Sequence, residues 1–161
     1  MPIIYHNRQR LAPEFEGGAR HVGFDQLLAD ADHLILMLPY SLAAHHVIGA
    51  AELARMKPGA VLVNMARGGV VDDAALADAL RSGRLAAAGL DVFENEPALN
   101  PGLLELENIV LTPHIASSTR ATRVAMAELA IENLRAALGG GRPPNLLNPE
   151  LLNSEPVQNR P

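Results

Sequence analysis

Apolar residues fall along the chain in short runs, separated by stretches with helical spacing. The runs are Ile3-Ile4-Tyr5, Leu34 to Leu38, Ala60 to Asn64, Ala86 to Leu90 and Ile109-Val110-Leu111. Each has the apolar character of a short buried strand, and Ala19 to Val22 is a further short candidate. Between them, Phe24 to Ala31 and Ala50 to Met56 read as brief helices, the second stopped by Lys57-Pro58-Gly59. Asp72 is placed to cap a helix that buries Leu76, Ala79 and Leu80, with Ser82-Gly83 as its end. From about Ser118 to Leu138, the positions Val124, Ala127, Ile131, Leu134 and Leu138 recur every three or four residues, which puts them on one side of a long helix. Strands alternating with helices in this way predict an α/β fold built on a parallel sheet.

The best-known sheet of that kind is the doubly wound, Rossmann-like one, in which the first strand runs into a Gly-x-Gly-x-x-Gly turn and a helix. No such turn occurs here: Gly17-Gly18 and Gly139 to Gly141 lack the spacing and do not lie between a strand and a helix. The opening residues run straight into a strand ending in His6-Asn7-Arg8, as a second strand would. The pattern therefore predicts an incomplete Rossmann-like doubly wound parallel sheet, its first strand and helix absent. Residues 1–141 would form part of a dinucleotide-binding domain. Residues 142–161, rich in proline and without periodicity, would form a tail that wraps the domain or hangs free. The unpaired strand edges that such a sheet leaves are expected to favour poor solubility or association.

Composition narrows the function. The 161 residues contain no cysteine, which removes thiol nucleophiles, zinc ribbons, iron–sulfur clusters and disulfides from consideration and suits a reducing cytoplasm. No metal site is expected. Thirteen Lys and Arg against eighteen Asp and Glu leave a formal charge of −5, an unfavourable balance for a nucleic-acid partner. The strongest apolar run, Leu34 to Pro39, is far short of the ~20 residues that cross a bilayer. The basic residues near the start follow the apolar ones, the reverse of a secretory signal.

Polar groups just after buried strands stand where open parallel sheets bind their ligands. Arg67, Asp91, Glu96 and His114 hold such positions. An arginine fork at 67 can clamp a small carboxylate through two parallel hydrogen bonds, or pair with Asp72 or Asp73 at the surface. His114, set by Pro113, is either a structural histidine or a proton donor. Glu96 is either an exposed acid or, if its loop meets that of His114, the group that holds the imidazole tautomer.

Three segments taken in order, Asn64-Met-Ala-Arg-Gly-Gly-Val-Val-Asp72, Gly89-Leu-Asp-Val-Phe-Glu-Asn-Glu-Pro97 and Leu111-Thr-Pro-His-Ile-Ala-Ser-Ser-Thr119, resemble the D-isomer-specific 2-hydroxyacid dehydrogenase family. The likeness extends to Phe24 to Leu28, Leu38-Pro39, Met56 to Gly59 and Pro144 to Glu150. It implies an NAD(P)-dependent oxidoreductase in which His114 is the acid–base, Glu96 its partner and Arg67 the group holding the carboxylate of a small 2-keto or 2-hydroxy acid. It further implies cofactor contacts at Leu38, Pro39, Ala66, Asp91, His114 and Ala116, and a homodimer in the complete enzyme. At the end of the opening strand, an acid would favour NAD. Asn7, Arg8 and Arg10 instead favour NADP and resemble the glyoxylate/hydroxypyruvate reductase branch, unless both arginines are solvated loop charges. The family also includes non-catalytic dinucleotide sensors of corepressor type, which can retain the same three residues.

Overall fold

The computed structural model describes residues 1–150, in two compact units that divide between Ile115 and Ala116. In the first unit, β1 (Ile4–Tyr5) pairs in parallel with β2 (Arg20–His21). A separate parallel sheet of four strands follows, formed in chain order by β3 (His33–Leu36), β4 (Val61–Asn64), β5 (Ala87–Leu90) and β6 (Ile109–Leu111). The short run at residues 19–22 is thus a strand. The expected incomplete sheet takes the form of two sheets that share no ladder.

Register explains which residues form the core. Leu34, Leu62, Ala88 and Ile109 lie side by side across the four strands, and so do Leu36, Asn64, Leu90 and Leu111. Because strand side chains alternate, these rows share one face, and nearly all of their members are buried. That face packs with α1 (Phe24–Asp30), α2 (Ala50–Arg55) and α3 (Asp73–Arg81), which contribute Leu28, Leu53, Leu76 and Leu80 to the same apolar cluster. The alternate row of Ile35, Val63, Gly89 and Val110 is more open, with Ile35 56% and Val110 66% exposed.

Helix ends follow the capping chemistry read from the sequence. The Asp72 carboxylate accepts the Ala74 and Ala75 N–H groups, both at 3.0 Å, at the start of α3. After Arg81 the chain turns through Ser82 into Gly83, whose φ of 72° suits glycine. One helix was not legible in the pattern: α4 (Pro101–Leu104), capped by Asn100, is too short to show a period.

The second unit is built on α5 (Arg120–Leu138), capped by the Thr119 hydroxyl on Thr122 N–H at 3.2 Å. Its apolar positions share a side as expected, but no residue of the helix is buried, and Ile131 and Leu134 are 48% and 58% exposed. Nothing among the described residues of that unit is large enough to cover them. The chain folds back once, where the Asn133 and Asn145 side chain and backbone bond reciprocally at 3.1 and 3.0 Å. The part of the expected tail from 151 to 161 lies outside the described residues.

Candidate active site

Parallel strands bring their carboxyl ends to one edge of a sheet, and the loops there carry the candidate residues. At the end of β4, the buried Asn64 side chain accepts Ala66 N–H at 3.0 Å and donates to the Arg67 carbonyl at 3.3 Å. A strand-end amide thus shapes the loop that presents Arg67. The Arg67 side chain pairs with neither Asp72 nor Asp73: its Nη1 donates to the Ala66 carbonyl at 2.6 Å, and the residue is exposed. Gly68 then passes so close to the next loop that an added Cβ would stand 1.7 Å from the Phe93 carbonyl oxygen. Only glycine permits that approach.

Asp91, at the end of β5, is 6% exposed. Its Oδ1 accepts the Thr112 hydroxyl at 2.5 Å and Ile115 N–H at 2.8 Å, gripping the loop on both sides of His114. His114 itself has a φ of 54°, an uncommon value for a side chain of its size, and a constrained loop is what sustains it. Its Nδ1 lies 2.9 Å from Glu96 Oε2, while Glu96 Oε1 accepts Phe93 N–H at 2.9 Å. Burial acts to raise the Glu96 pKa, but the bonds from His114 and from Phe93 N–H outweigh it and hold the carboxyl below its ordinary value. An ionised carboxylate can only accept, so Nδ1 carries the proton of this bond and Nε2 is the other ring nitrogen. The two loops expected to meet do so.

Arg67, Glu96 and His114 line one cleft of about 390 Å³, together with Tyr40, His45 and Phe93. Glu94 also lines the cleft and belongs to a cluster that sequence reasoning did not identify. His46 Nε2 is 2.6 Å from Glu94 Oε1 and its Nδ1 is 3.8 Å from Asp72 Oδ2, while Glu94 N–H donates to buried Asp73 at 3.1 Å. Glu94 stands two residues before Glu96, in the position of an ordinary surface acid, and nothing local distinguishes it.

The remaining candidates are placed as follows. Leu38 and Pro39 follow β3, and Ala66 is buried beside Arg67. Ala116 is exposed and opens the second unit. Asn7 and Arg8 are exposed just after β1, where the Asn7 side chain accepts Arg8 N–H at 2.9 Å, and the Arg8 guanidinium has no hydrogen-bond partner among the described residues. Arg10 differs: its guanidinium donates to Glu16 at 2.7 and 3.1 Å, and the Tyr5 hydroxyl donates to the same carboxylate at 2.8 Å. The Arg10 and Tyr5 bonds bring the Glu16 pKa down to about 2.

The family model described as D-isomer specific 2-hydroxyacid dehydrogenase, NAD binding domain, matches residues 1–116. The chain belongs to this family. Among dehydrogenases of the family, a glyoxylate reductase from Thermococcus litoralis is 49% identical over 158 residues, which are 97% of this chain and 47% of that protein. A glyoxylate/hydroxypyruvate reductase B from Pectobacterium atrosepticum is 47% identical over 154 residues, 94% of this chain and 48% of the relative. A crystal structure of a glyoxylate reductase from Paecilomyes thermophila superposes with a TM-score of 0.86 at 48% identity, covering 94% of this chain and 46% of that one. This member of the dehydrogenase family spans about half the length of the curated relatives it matches. Among its described residues, no helix is long and apolar enough to cross a membrane.

Proposed function

We propose that this chain is the dinucleotide-binding part of an oxidoreductase that reduces a small 2-keto acid of the glyoxylate or hydroxypyruvate type to the D-2-hydroxy acid. The observation that carries this reading is the His114–Glu96 bond at 2.9 Å in a cleft shared with Arg67. In this reading residues 1–141 belong to the dinucleotide-binding domain and residues 142–161 return toward a substrate domain. The enzyme is a cytoplasmic homodimer.

The polar residues present fit a nicotinamide dinucleotide. Exposed Asn7 and Arg8 follow β1, the place where such folds recognise the adenosine ribose, and the Asp91 carboxylate follows β5 beside the His114 loop. When bound, the reduced cofactor supplies the hydride. Arg67 holds the substrate carboxylate by two parallel hydrogen bonds and places positive charge beside the carbonyl, where negative charge develops. His114 gives a proton from Nε2 to the carbonyl oxygen, so a C–H and an O–H bond form as the C=O π bond breaks. Glu96, bonded to Nδ1, fixes the tautomer and stabilises the charged ring. NADP is the preferred cofactor. Arg8 supports this through an exposed guanidinium with no hydrogen-bond partner among the described residues, whereas Arg10, bound to Glu16, does not contribute. A NADPH-dependent glyoxylate/hydroxypyruvate reductase from Sinorhizobium meliloti, crystallised with NADP and malonate, is 39% identical with a TM-score of 0.77.

The test is to exchange this chain for the matching segment of the Thermococcus litoralis enzyme. The exchanged protein is expected to oxidise NADPH on addition of glyoxylate or hydroxypyruvate, in the latter case yielding D-glycerate. A folded protein that binds NADPH and reduces neither acid contradicts the reading and is the behaviour of a dinucleotide sensor.

A further inference from the structure

We propose that Glu94, acting with His46 and Asp73, is a positioning residue that locks the Arg67 loop onto the loop bearing Glu96. The proposal deepens the functional reading above, because the parts it holds in register are the carboxylate clamp and the partner of the acid–base.

The case rests on where the bonds of one short loop go. Residues 91–96 reach outward on two sides. On one side, Glu96 meets His114 and ties back to Phe93 N–H. On the other, the Glu94 backbone N–H donates to Asp73 Oδ2 at 3.1 Å, and the Glu94 carboxylate accepts from Asp73 N–H at the long distance of 3.5 Å and from His46 Nε2 at 2.6 Å. Asp73 begins α3, directly after the strand-end loop of Arg67, and is only 2% exposed. His46 is anchored to that same loop by its backbone, its N–H donating to the Gly69 carbonyl at 2.7 Å. Glu94 therefore bonds to two groups that hold the C-terminal side of the Arg67–Gly69 turn, His46 on Gly69 and Asp73 after it.

Next to those anchors, Gly68 is in close backbone contact with Phe93. Surfaces at such close approach cannot slide without separating, so loss of the Glu94 bonds has one outlet: the 91–96 loop and the Arg67 loop move apart. Glu96 then leaves His114 and Arg67 changes its position together with it. Glu94 touches no reacting atom in this scheme and works through Arg67 and Glu96. The cluster is also well supplied with charge, since Asp72 stands 3.8 Å from His46 Nδ1 and the His45 ring stacks on that of His46 at 3.9 Å.

The test needs neither cofactor nor substrate, so its outcome is independent of whether the chain reduces a keto acid. In the full 161-residue chain, the Glu96 carboxyl carbon is titrated by NMR while the Gly68 amide and the Arg67 Nε–H are followed. Glu94→Ala and His46→Ala are each expected to raise the Glu96 midpoint toward the ordinary carboxylate value and to shift or broaden the Gly68 and Arg67 signals. The double variant should go no further than the larger single effect, as for two ends of one device. Amide exchange in α2 reports folding and is expected to stay as in the parent chain. Should a variant lose α2 protection, Glu94→Gln and His46→Gln, which keep the volume of each side chain, replace them. Folded variants whose Glu96 midpoint and Gly68 and Arg67 signals match the parent chain overturn the proposal. Keto acid turnover failing in the exchanged enzyme, with these shifts present, would instead overturn the functional reading alone.

Discussion

A carboxylate with two good donors and a glycine with no room for a side chain set the local chemistry at two places in the chain. Glu16, held by Arg10 and Tyr5, titrates at about 2. Its folded pKa lies below the unfolded value of roughly 4.3, so its stabilising effect is present above that value and is lost as pH falls through about 2. Following its carboxyl carbon by NMR checks this, and Arg10→Met should bring the midpoint back up. Glu96 has the same sign with a smaller displacement, while burial raises Asp73, whose contribution is greatest at low pH and lost as pH rises through its folded pKa. Gly68→Ala would force its new methyl into the Phe93 carbonyl. An overpacked site of this kind costs about 1–3 kcal/mol, and urea unfolding should show that loss. Arg67, Glu96 and His114 were legible as residues because each follows a buried strand, and the resemblance assigned them roles. Asn64, His46 and Glu94 were not, because their partners come from other loops and their own neighbourhoods in sequence read as strand end, apolar turn and acidic turn.

At the scale of elements, the apolar runs were enough to locate the strands of the four-stranded sheet, while Arg20–His21 was legible only as a short candidate. Strand ends retreated by a residue or two wherever the apolar run outlasted the ladder, as at Met37 and Leu38 beyond β3. Asp72 shows how directly one side chain can specify a boundary. It accepts two N–H groups at the start of α3, and Asp72→Ala should lower stability by about 1 kcal/mol, measured by thermal or urea unfolding. The same change removes the carboxylate near His46, so its effect on the Arg67 loop should exceed that of an ordinary cap. What the pattern could not foresee was the exposure of α5. Periodicity tells which residues share a side and not whether anything covers that side.

For the whole molecule, two sheets that share no ladder and an open row of Ile35, Val63, Gly89 and Val110 are consistent with a chain that spans about half of its relatives. The chemistry is concentrated at the carboxyl edge of the four-stranded sheet, where three separate loops bring a guanidinium, a carboxylate and an imidazole to one cleft. In the proposed reaction His114 delivers the proton that completes reduction of the keto acid. The most direct measurement is the rate of glyoxylate-dependent NADPH oxidation by the exchanged enzyme, with and without His114→Gln, under saturating cofactor. His114→Gln is expected to lower that rate about 10²–10⁴-fold even with NADPH at saturation. A rate that survives the substitution would contradict it.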